Sequence, residues 1–391
     1  MVSKNNSSSL KPRLYTPSFI LISAANLFNV SSFGFFYLFP LFIKSCKGSE
    51  SDIGIIMGAS AFSSVFFRPW ISEMIDKIGR KKSYTLGCLI TTIIPLTYLM
   101  LIGSIKELYI PLLATRLIYG IGLAICFTAS FTYVADIVPK ERLNEGIGMF
   151  GATGLLGLAI GPVIGEVLIN RYGFNAFFII SAVIAGIGLI IDIFLPESYI
   201  NKKDPNSVPF ISLLRVKRIF MISFLSFCFG MVIAATGNFV SPFAKEEGLR
   251  FISFYYICYS AAAILTRLLG GRLADEFGEE KIIPYGLVLE ASGLIVLSFL
   301  KNEPMLCIAG VLSGCGHGLL FPCLNSLMIR DQPAEIRGKL TGLFTGSIDA
   351  GVFIGSILLG YIGDCLGLRA LFFLSAFFLL PWLFYKKPLS R

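Results

Sequence analysis

Apolar residues run along this chain in long, nearly continuous stretches broken by short polar joints, without the strict alternation of a half-buried strand. About 20 mainly apolar residues suffice for a helix to cross a bilayer. Twelve such stretches are expected, near 16–43, 52–75, 83–105, 109–136, 143–169, 173–195, 218–244, 251–274, 282–301, 304–329, 338–363 and 367–386. Continuous runs favour helices over a lipid-facing barrel, whose strands alternate over about ten residues. The longest polar stretch after the start, PESYINKKDPNSVPFISLLRVK at 196–217, falls between the sixth and seventh runs. The expectation is a six-helix half at 1–195, a linker at 196–217 and a second six-helix half at 218–391.

The two halves are related. RPWISEMIDKIGRKK (Arg68 to Lys82) recurs as RLLGGRLADEFGEEK (Arg267 to Lys281), with Arg68 and Asp76 matching Arg267 and Asp275 at one offset of 199 residues. DIVPKER (Asp136 to Arg142) recurs as DQPAEIR (Asp331 to Arg337) at an offset of 195. Internal duplication of this kind is how many secondary transporters are built.

Composition narrows the picture. A hydrophobic fraction of 55%, 15% charged residues and 36 Phe do not suit a water-soluble domain. The formal charge of +9 would suit an anionic partner, but most of the 33 Lys and Arg fall on the side that holds both chain ends. Lys77, Arg80, Lys81 and Lys82 form the densest cluster. By the positive-inside rule the charge is a topology signal, with both termini in the cytoplasm and no nucleic-acid partner. The first fifteen residues are polar, so the first apolar run is expected to act as its own insertion signal. The nine Cys form no CxxC pair and only one His is present, so neither a disulfide framework nor a metal site is expected. No HExxH, GxSxG or P-loop occurs, and the short joints leave no room for a catalytic domain. Neither an enzyme nor a cofactor is expected.

Twelve runs, a duplicated turn and a central basic linker resemble the major facilitator superfamily over essentially the whole chain. The family's turn between helices 2 and 3 runs Gly, any, Leu, Ala, Asp, Arg, any, Gly, Arg, Arg. The first copy here keeps Asp76, Gly79, Arg80 and Lys81 with Ser72 in place of Gly; the second keeps Gly271, Leu273, Ala274, Asp275 and Gly278 but has Glu279 and Glu280 for the basic pair. RLIYGIG supplies Arg116, Gly120 and Gly122, similar to the family's Arg-x-x-x-Gly-x-Gly element in helix 4. In helix 5, Gly148, Gly157, Gly161-Pro162 and Gly165 resemble the motif of the drug:proton antiporter branch, with Glu166 where a further Gly is usual. The resemblance implies an all-helical membrane protein with twelve transmembrane helices in two pseudo-symmetric halves. It also implies that helices 1, 4, 7 and 10 line a central cavity.

Candidate residues follow. Arg68, Asp76, Gly79, Arg80, Arg267, Gly271, Asp275 and Gly278 are expected to form the gate. An Arg inside a span is costly, by about 2.5–3.5 kcal/mol at the centre, so Arg116 either faces a water-filled cavity or snorkels to an interface. Asp349, in the middle of TGSIDAGVFIGSILLG, is the first choice for proton coupling, or else a structural partner of Arg68 or Arg267. His317 is a second proton candidate. Asn26, Arg116, Asn238, His317 and Asn325 are expected to contact substrate, each being equally suited to joining helices. Glu166 reads as a gate contact or an interfacial residue; Glu290 and Asp192 read as peripheral. The expected function is proton-coupled efflux of a small amphipathic molecule by a monomer in the cytoplasmic membrane. Uptake of a metabolite such as a sugar or organic acid, and a non-transporting receptor of the same fold, are the alternatives.

Overall fold

The computed structural model describes residues 13–139, 142–198, 210–330, 332 and 334–382, and every regular element among them is helical. Helix α1 (Pro17–Phe35) starts behind Thr16, whose hydroxyl accepts from the Phe19 N–H at 3.2 Å, with proline at the first position, where no donor is lost. It runs through a short 3₁₀ turn (Phe36–Leu38) into α2 (Phe39–Ser45). Helix α3 (Glu50–Ile78) opens on a capping box: the Ser49 hydroxyl accepts from Asp52 N at 3.1 Å and the Asp52 carboxylate from Ser49 N at 2.8 Å. Helices α4 (Arg80–Thr97), α5 (Ile105–Ile137) and α6 (Leu143–Ile193) complete the first set. The second set is α7 (Lys217–Glu246), α8 (Ser253–Phe277), α9 (Glu279–Ser298), α10 (Glu303–Ile329), α11 (Ala334–Leu366) and α12 (Leu368–Ala376), followed by a 3₁₀ turn at Phe377–Trp382.

At 51 residues α6 would be about 75 Å long if straight, over twice a bilayer's hydrocarbon core. Gly173, at φ 77° and ψ −174°, breaks it. Both arms then lie against α1: Gly157 and Gly161 on one arm approach Gly34, and Gly188 on the other approaches Ala25. The fifth and sixth expected runs are therefore a single broken helix. The ninth run begins earlier than expected, because Gly278 at φ 87° ends α8 and starts α9. The last run is helical to Trp382, and 383–386 lie outside the described residues.

Among the described residues, eight helical segments are long and apolar enough to cross a membrane. Helices α3 and α8 are of similar length, 29 and 25 residues, but carry Arg68 and Arg267. The outward surface is apolar, with Phe66, Leu89, Ile93, Leu265, Val288 and Ile295 all exposed, as lipid contact requires. Leu14, Val138 and Leu195 cluster at one end of the first set, which we call the terminal face. At the opposite, far face the loops after α2 and before α5 meet, where Ile105 N donates to Cys46 O at 2.9 Å.

Within each set the helices pack through small residues. A Cβ at Gly161 would stand 2.8 Å from Gly34 Cα, and one at Gly355 would stand 2.7 Å from Met231 Cα. Backbones this close exclude a side chain and replace it with dispersion contacts, which drive helix association where lipid supplies no hydrophobic force. The α1–α6 seam leads to a specific outcome. Gly161→Leu should cost several kcal/mol through overpacking and abolish monodisperse protein in detergent. Gly148→Ala, where a Cβ meets nothing within 4 Å, should leave yield and melting temperature near wild type. Size-exclusion profiles and thermal melts of the two variants check this.

Candidate functional site

The duplicated turn folds into a charged knot at the terminal face. Gly79, at φ 106°, takes the sharp reversal between α3 and α4, and a Cβ there would collide with the Glu197 carboxylate. Glu197 accepts from the backbone N–H groups of Arg80 (2.9 Å), Lys81 (3.1 Å) and Lys82 (3.4 Å), capping the positive end of α4. Arg80 bonds Asp76 and, at the end of α5, Asp136, both at 3.1 Å. The helix start is thus held by Glu197, while Asp76 serves only to pair Arg80. In the second copy the polarity is inverted: Glu279, 3% exposed at the start of α9, accepts from Arg330 and Ser326, both at 2.6 Å. Gly271 and Asp275 lie on α8 outside the described side chains.

Three joints connect the two helix sets. At mid-height on the α3–α11 seam, Arg68 pairs with Asp349, donates to Thr345 Oγ1 at 2.8 Å and to Ser64 Oγ at 3.2 Å, and Ser64 donates to Asp349 at 2.7 Å. At the far face Asp364 of α11 accepts from Glu50 N (2.7 Å) and Ser51 N (3.0 Å), capping α3. There too Glu166 of α6, 7% exposed, accepts from Ile252 N (2.7 Å) and Ser253 N (2.9 Å), capping α8. Glu166 and Asp364 each cap the first turn of a helix in the other set, so the two caps repeat in kind. Tyr37 adds to the closure: it stacks on Tyr256 at 5.1 Å, and its carbonyl accepts from Ser241 at 2.8 Å.

Between the sets, on the terminal side of these caps, the α6 surface is bare. A Cβ on Gly148 would meet nothing within 4 Å, one on Gly154 only Asn26 Nδ2 at 3.7 Å, and one on Gly151 only Arg267 Nη1 at 3.4 Å. Opposite them, Phe321 lies under the Arg267 guanidinium at 5.0 Å and stacks on His317 at 5.7 Å. His317 Nδ1 bonds the Tyr259 hydroxyl at 2.7 Å, and Asn325 has a buried Oδ1 with no partner. Arg267 and Asn26 therefore border the recess before these glycines, Asn26 held there by Thr153 Oγ1 at 2.9 Å, and His317 joins Arg267 through the ring of Phe321.

Other candidates lie elsewhere. Arg116, 2% exposed, sits inside the first set: Nη2 donates to Ser60 at 3.1 Å, and the guanidinium is 5.4 Å from the rings of Phe36, Phe39 and Tyr119. This aromatic cage answers part of its charge by cation–π attraction, while Nε and Nη1 are buried without a hydrogen-bond partner. Asn238 is a strut, donating to Ser356 of α11 at 2.7 Å. Gly157, Gly161, Pro162 and Gly165 pack against α1, its 3₁₀ extension and the returning arm of α6. Glu290 and Asp192, expected at the periphery, are buried: Glu290 behind Gly316, Asp192 accepting from Thr85. Sequence reasoning missed Asp136, Glu197 and Asp364 as partners; the DIVPKER repeat was the one available signal, and only for Asp136.

A membrane-embedded bundle of two related helix sets, joined by ionic contacts at mid-height and one face around a polar recess, has the architecture of a solute carrier. The Major Facilitator Superfamily profile matches residues 19–258 and 248–390, and the chain belongs to that superfamily of transporters. It is 25% identical over 405 residues to the multidrug resistance protein MdtG of Proteus mirabilis, covering 98% of each chain. It is 22% identical over 395 residues to the staphylopine export protein of Staphylococcus aureus, covering 97% of this chain and 96% of that one. An uncharacterized MFS-type transporter of Methanocaldococcus jannaschii is 24% identical over 354 residues, with 87% and 89% covered. Among solved structures, a bacterial homolog of the lysosomal transporter Spinster, inward-facing and unoccupied, superposes with a TM-score of 0.75 at 14% identity, covering 94% of this chain and 96% of that one. The nucleoside transporter NupG gives 0.68 at 15% identity, with 95% and 100% covered.

The paired caps generate a prediction. A hydrogen bond to a charged group contributes about 1.5–3 kcal/mol, and a carboxamide retains part of each cap. Glu166→Gln with Asp364→Asn should therefore favour opening of the far face by about ten-fold or more, since 1.4 kcal/mol is a factor of ten. Spin labels at Lys106→Cys, in the first turn of α5, and Lys301→Cys, in the loop after α9, should report a new long-distance population in the double variant. An unchanged distance distribution would remove the caps from gating.

Proposed function

We propose that the protein is a proton-coupled exporter of a small amphipathic molecule, working by alternating access across the cytoplasmic membrane. In this reading twelve spans form two pseudo-symmetric halves, 1–195 and 218–391, joined by the linker at 196–217. One span is α1 with α2, α6 contributes two through its break at Gly173, and α12 with its 3₁₀ extension is the last. Both termini are cytoplasmic, so the far face is the outer one and the capped conformation is closed to the outside. Export is supported by the helix-5 spacing and by relatives named for multidrug resistance and staphylopine export.

The observation that carries the reading is the Arg68–Asp349 pair, because it lies on the seam that must slide and its carboxylate is partly exposed, at 30%. An ion pair inside the membrane holds only while both charges persist. A proton on Asp349 cancels one of them, leaves Arg68 to Ser64 and Thr345, and loosens α3 from α11. Proton binding would then shift the population between inward-open and outward-open states, and substrate and proton would use the carrier in turn. Asp76, Arg80, Asp136 and Glu197 would keep the α3–α4 turn rigid while the halves rock, and His317 would be a second proton site beside the substrate.

Uptake of a metabolite is the second reading, favoured by the likeness to a nucleoside transporter. Direction decides between them. Small-molecule profiles of cells and medium should be compared for cells with the protein, without it and with Asp349→Asn. Export predicts a compound retained in cells without the protein; a compound left in the medium would make it an importer. Asp349→Asn should lose gradient-driven flux by at least ten-fold while retaining downhill exchange. Unchanged gradient-driven flux would exclude Asp349 from coupling.

A further inference from the structure

The offset of 195 residues that leads into α6 and α11 matches Gly151 to Gly346 and Gly154 to Asp349, and a Cβ on Gly346 would stand 3.4 Å from Arg68 as one on Gly151 would from Arg267. Arg68 and Arg267 are likewise equivalent, so each lies at a seam between the sets with the corresponding position of α11 or α6 before it. At the first seam Asp349, one turn beyond Gly346, brings its carboxylate to Arg68. At the second the matching residue is Gly154, so no acid follows Gly151, whose Cβ would stand 3.4 Å from Arg267 Nη1. Among the described residues no carboxylate lies within ion-pair range of Arg267, and its Nε is buried without a partner. Phe321 covers one face of the guanidinium and leaves its edge facing the recess between α6 and α10.

We infer that Arg267 is an anion-recognition residue, and that the carried molecule is an amphipathic organic anion whose carboxylate, sulfonate or phosphate-like group takes the place left open at Gly151. This rests on the transporter reading of the recess and adds the charge of the cargo. Arg presents a planar edge of N–H donors that matches the paired oxygens of such groups, and a charge in a low-dielectric recess discriminates strongly by sign. Phe321, stacked on His317 at 5.7 Å with the buried Phe229 packed behind, provides the apolar and aromatic wall for the body of the molecule. The anion would also complete the second seam as Asp349 completes the first. Substrate occupancy would thereby be linked to the contact between the halves.

The test uses the full-length protein in vesicles of phosphatidylethanolamine and phosphatidylglycerol with three probes of one shape: 2-naphthalenesulfonate, neutral 2-naphthalenesulfonamide and cationic (2-naphthyl)trimethylammonium. Wild type is expected to bind the sulfonate at least ten-fold tighter than the other two. Arg267→Gln should abolish that preference and Arg267→Lys retain part of it. Gly151→Asp, which supplies the missing carboxylate from within, should abolish it too, whereas Gly151→Ala should keep it. Equal binding of all three probes by wild type, or a preference unmoved in Arg267→Gln and Gly151→Asp, overturns the inference. Charge-selective binding with no gradient-driven movement of the sulfonate would instead leave the anion site standing and remove the transport reading on which its role rests.

Discussion

A charge inside this bundle depends on other parts of the protein for its stabilisation, since lipid offers it no partner. The Arg68–Asp349 pair is the clearest case, because it joins helices from different sets at mid-height. Its surroundings follow from it. Ser64 and Thr345 supply the remaining hydrogen bonds, and Gly54, Gly58 and Gly360 bring the α3 and α11 backbones together toward the far face. Breaking such a pair by removing one partner is far more costly than forming it is favourable. Protonation of the acid is the gentler route, because it removes the charge while leaving a hydrogen-bonding group behind. A carrier needs a contact of that kind: firm in one state and releasable by a chemical event available at the membrane.

Pseudo-symmetry organises the other charged contacts, and its departures are as informative as its matches. The far-face caps repeat in kind, with Glu166 on α8 and Asp364 on α3. The terminal-face turns repeat in geometry with the charges exchanged, Arg80 with Asp136 in one and Glu279 with Arg330 in the other. An ion pair keeps its attraction when its signs are swapped, so the exchange preserves the structure and evades a search for the motif's basic residues. The seam arginines repeat as residues but not as pairs. Among the described residues Arg267 has no ion-pair partner, and it lies beside the stretch of α6 where Gly148, Gly151 and Gly154 meet almost nothing.

Fold and motifs were legible in the sequence wherever the signal is local. Apolar run length located the helices, and the duplicated turn located Arg68, Arg267, Gly79 and Gly278. Long-range partners left no such trace. Asp364 caps a helix that starts 314 residues earlier, and nothing near it marks an acid at a helix end as a cap rather than a solvated charge. Arg116 shows the opposite failure: a buried Arg implies water or an interface by default, but the rings of Phe36 and Phe39, distant in sequence, and of Tyr119, one turn on, stabilise it by cation–π contact. Asp192 and Glu290 read as peripheral because helix position was taken to mean exposure. Close packing against α4 for the one, and against Gly316 of α10 for the other, buries them. The joint expected between the fifth and sixth runs falls at Gly173, where a single positive φ folds one long helix into two arms.

The glycine-rich first arm of α6 divides its work by height, which alters what its motif means. Toward the far face, Gly157, Gly161 and Gly165 abut α1, its 3₁₀ extension and the returning arm so closely that any side chain would force them apart. Toward the terminal face, Gly148, Gly151 and Gly154 face the recess and touch almost nothing. The far part of the arm is thus welded to α1 and must move with the first set as one body. The near part offers few side chains to whatever lies across from it. Absence of side chains acts in both places, once to permit contact and once to leave space. A glycine spacing alone therefore encodes a rigid body with an open face; the direction of transport has to come from the charges placed around it.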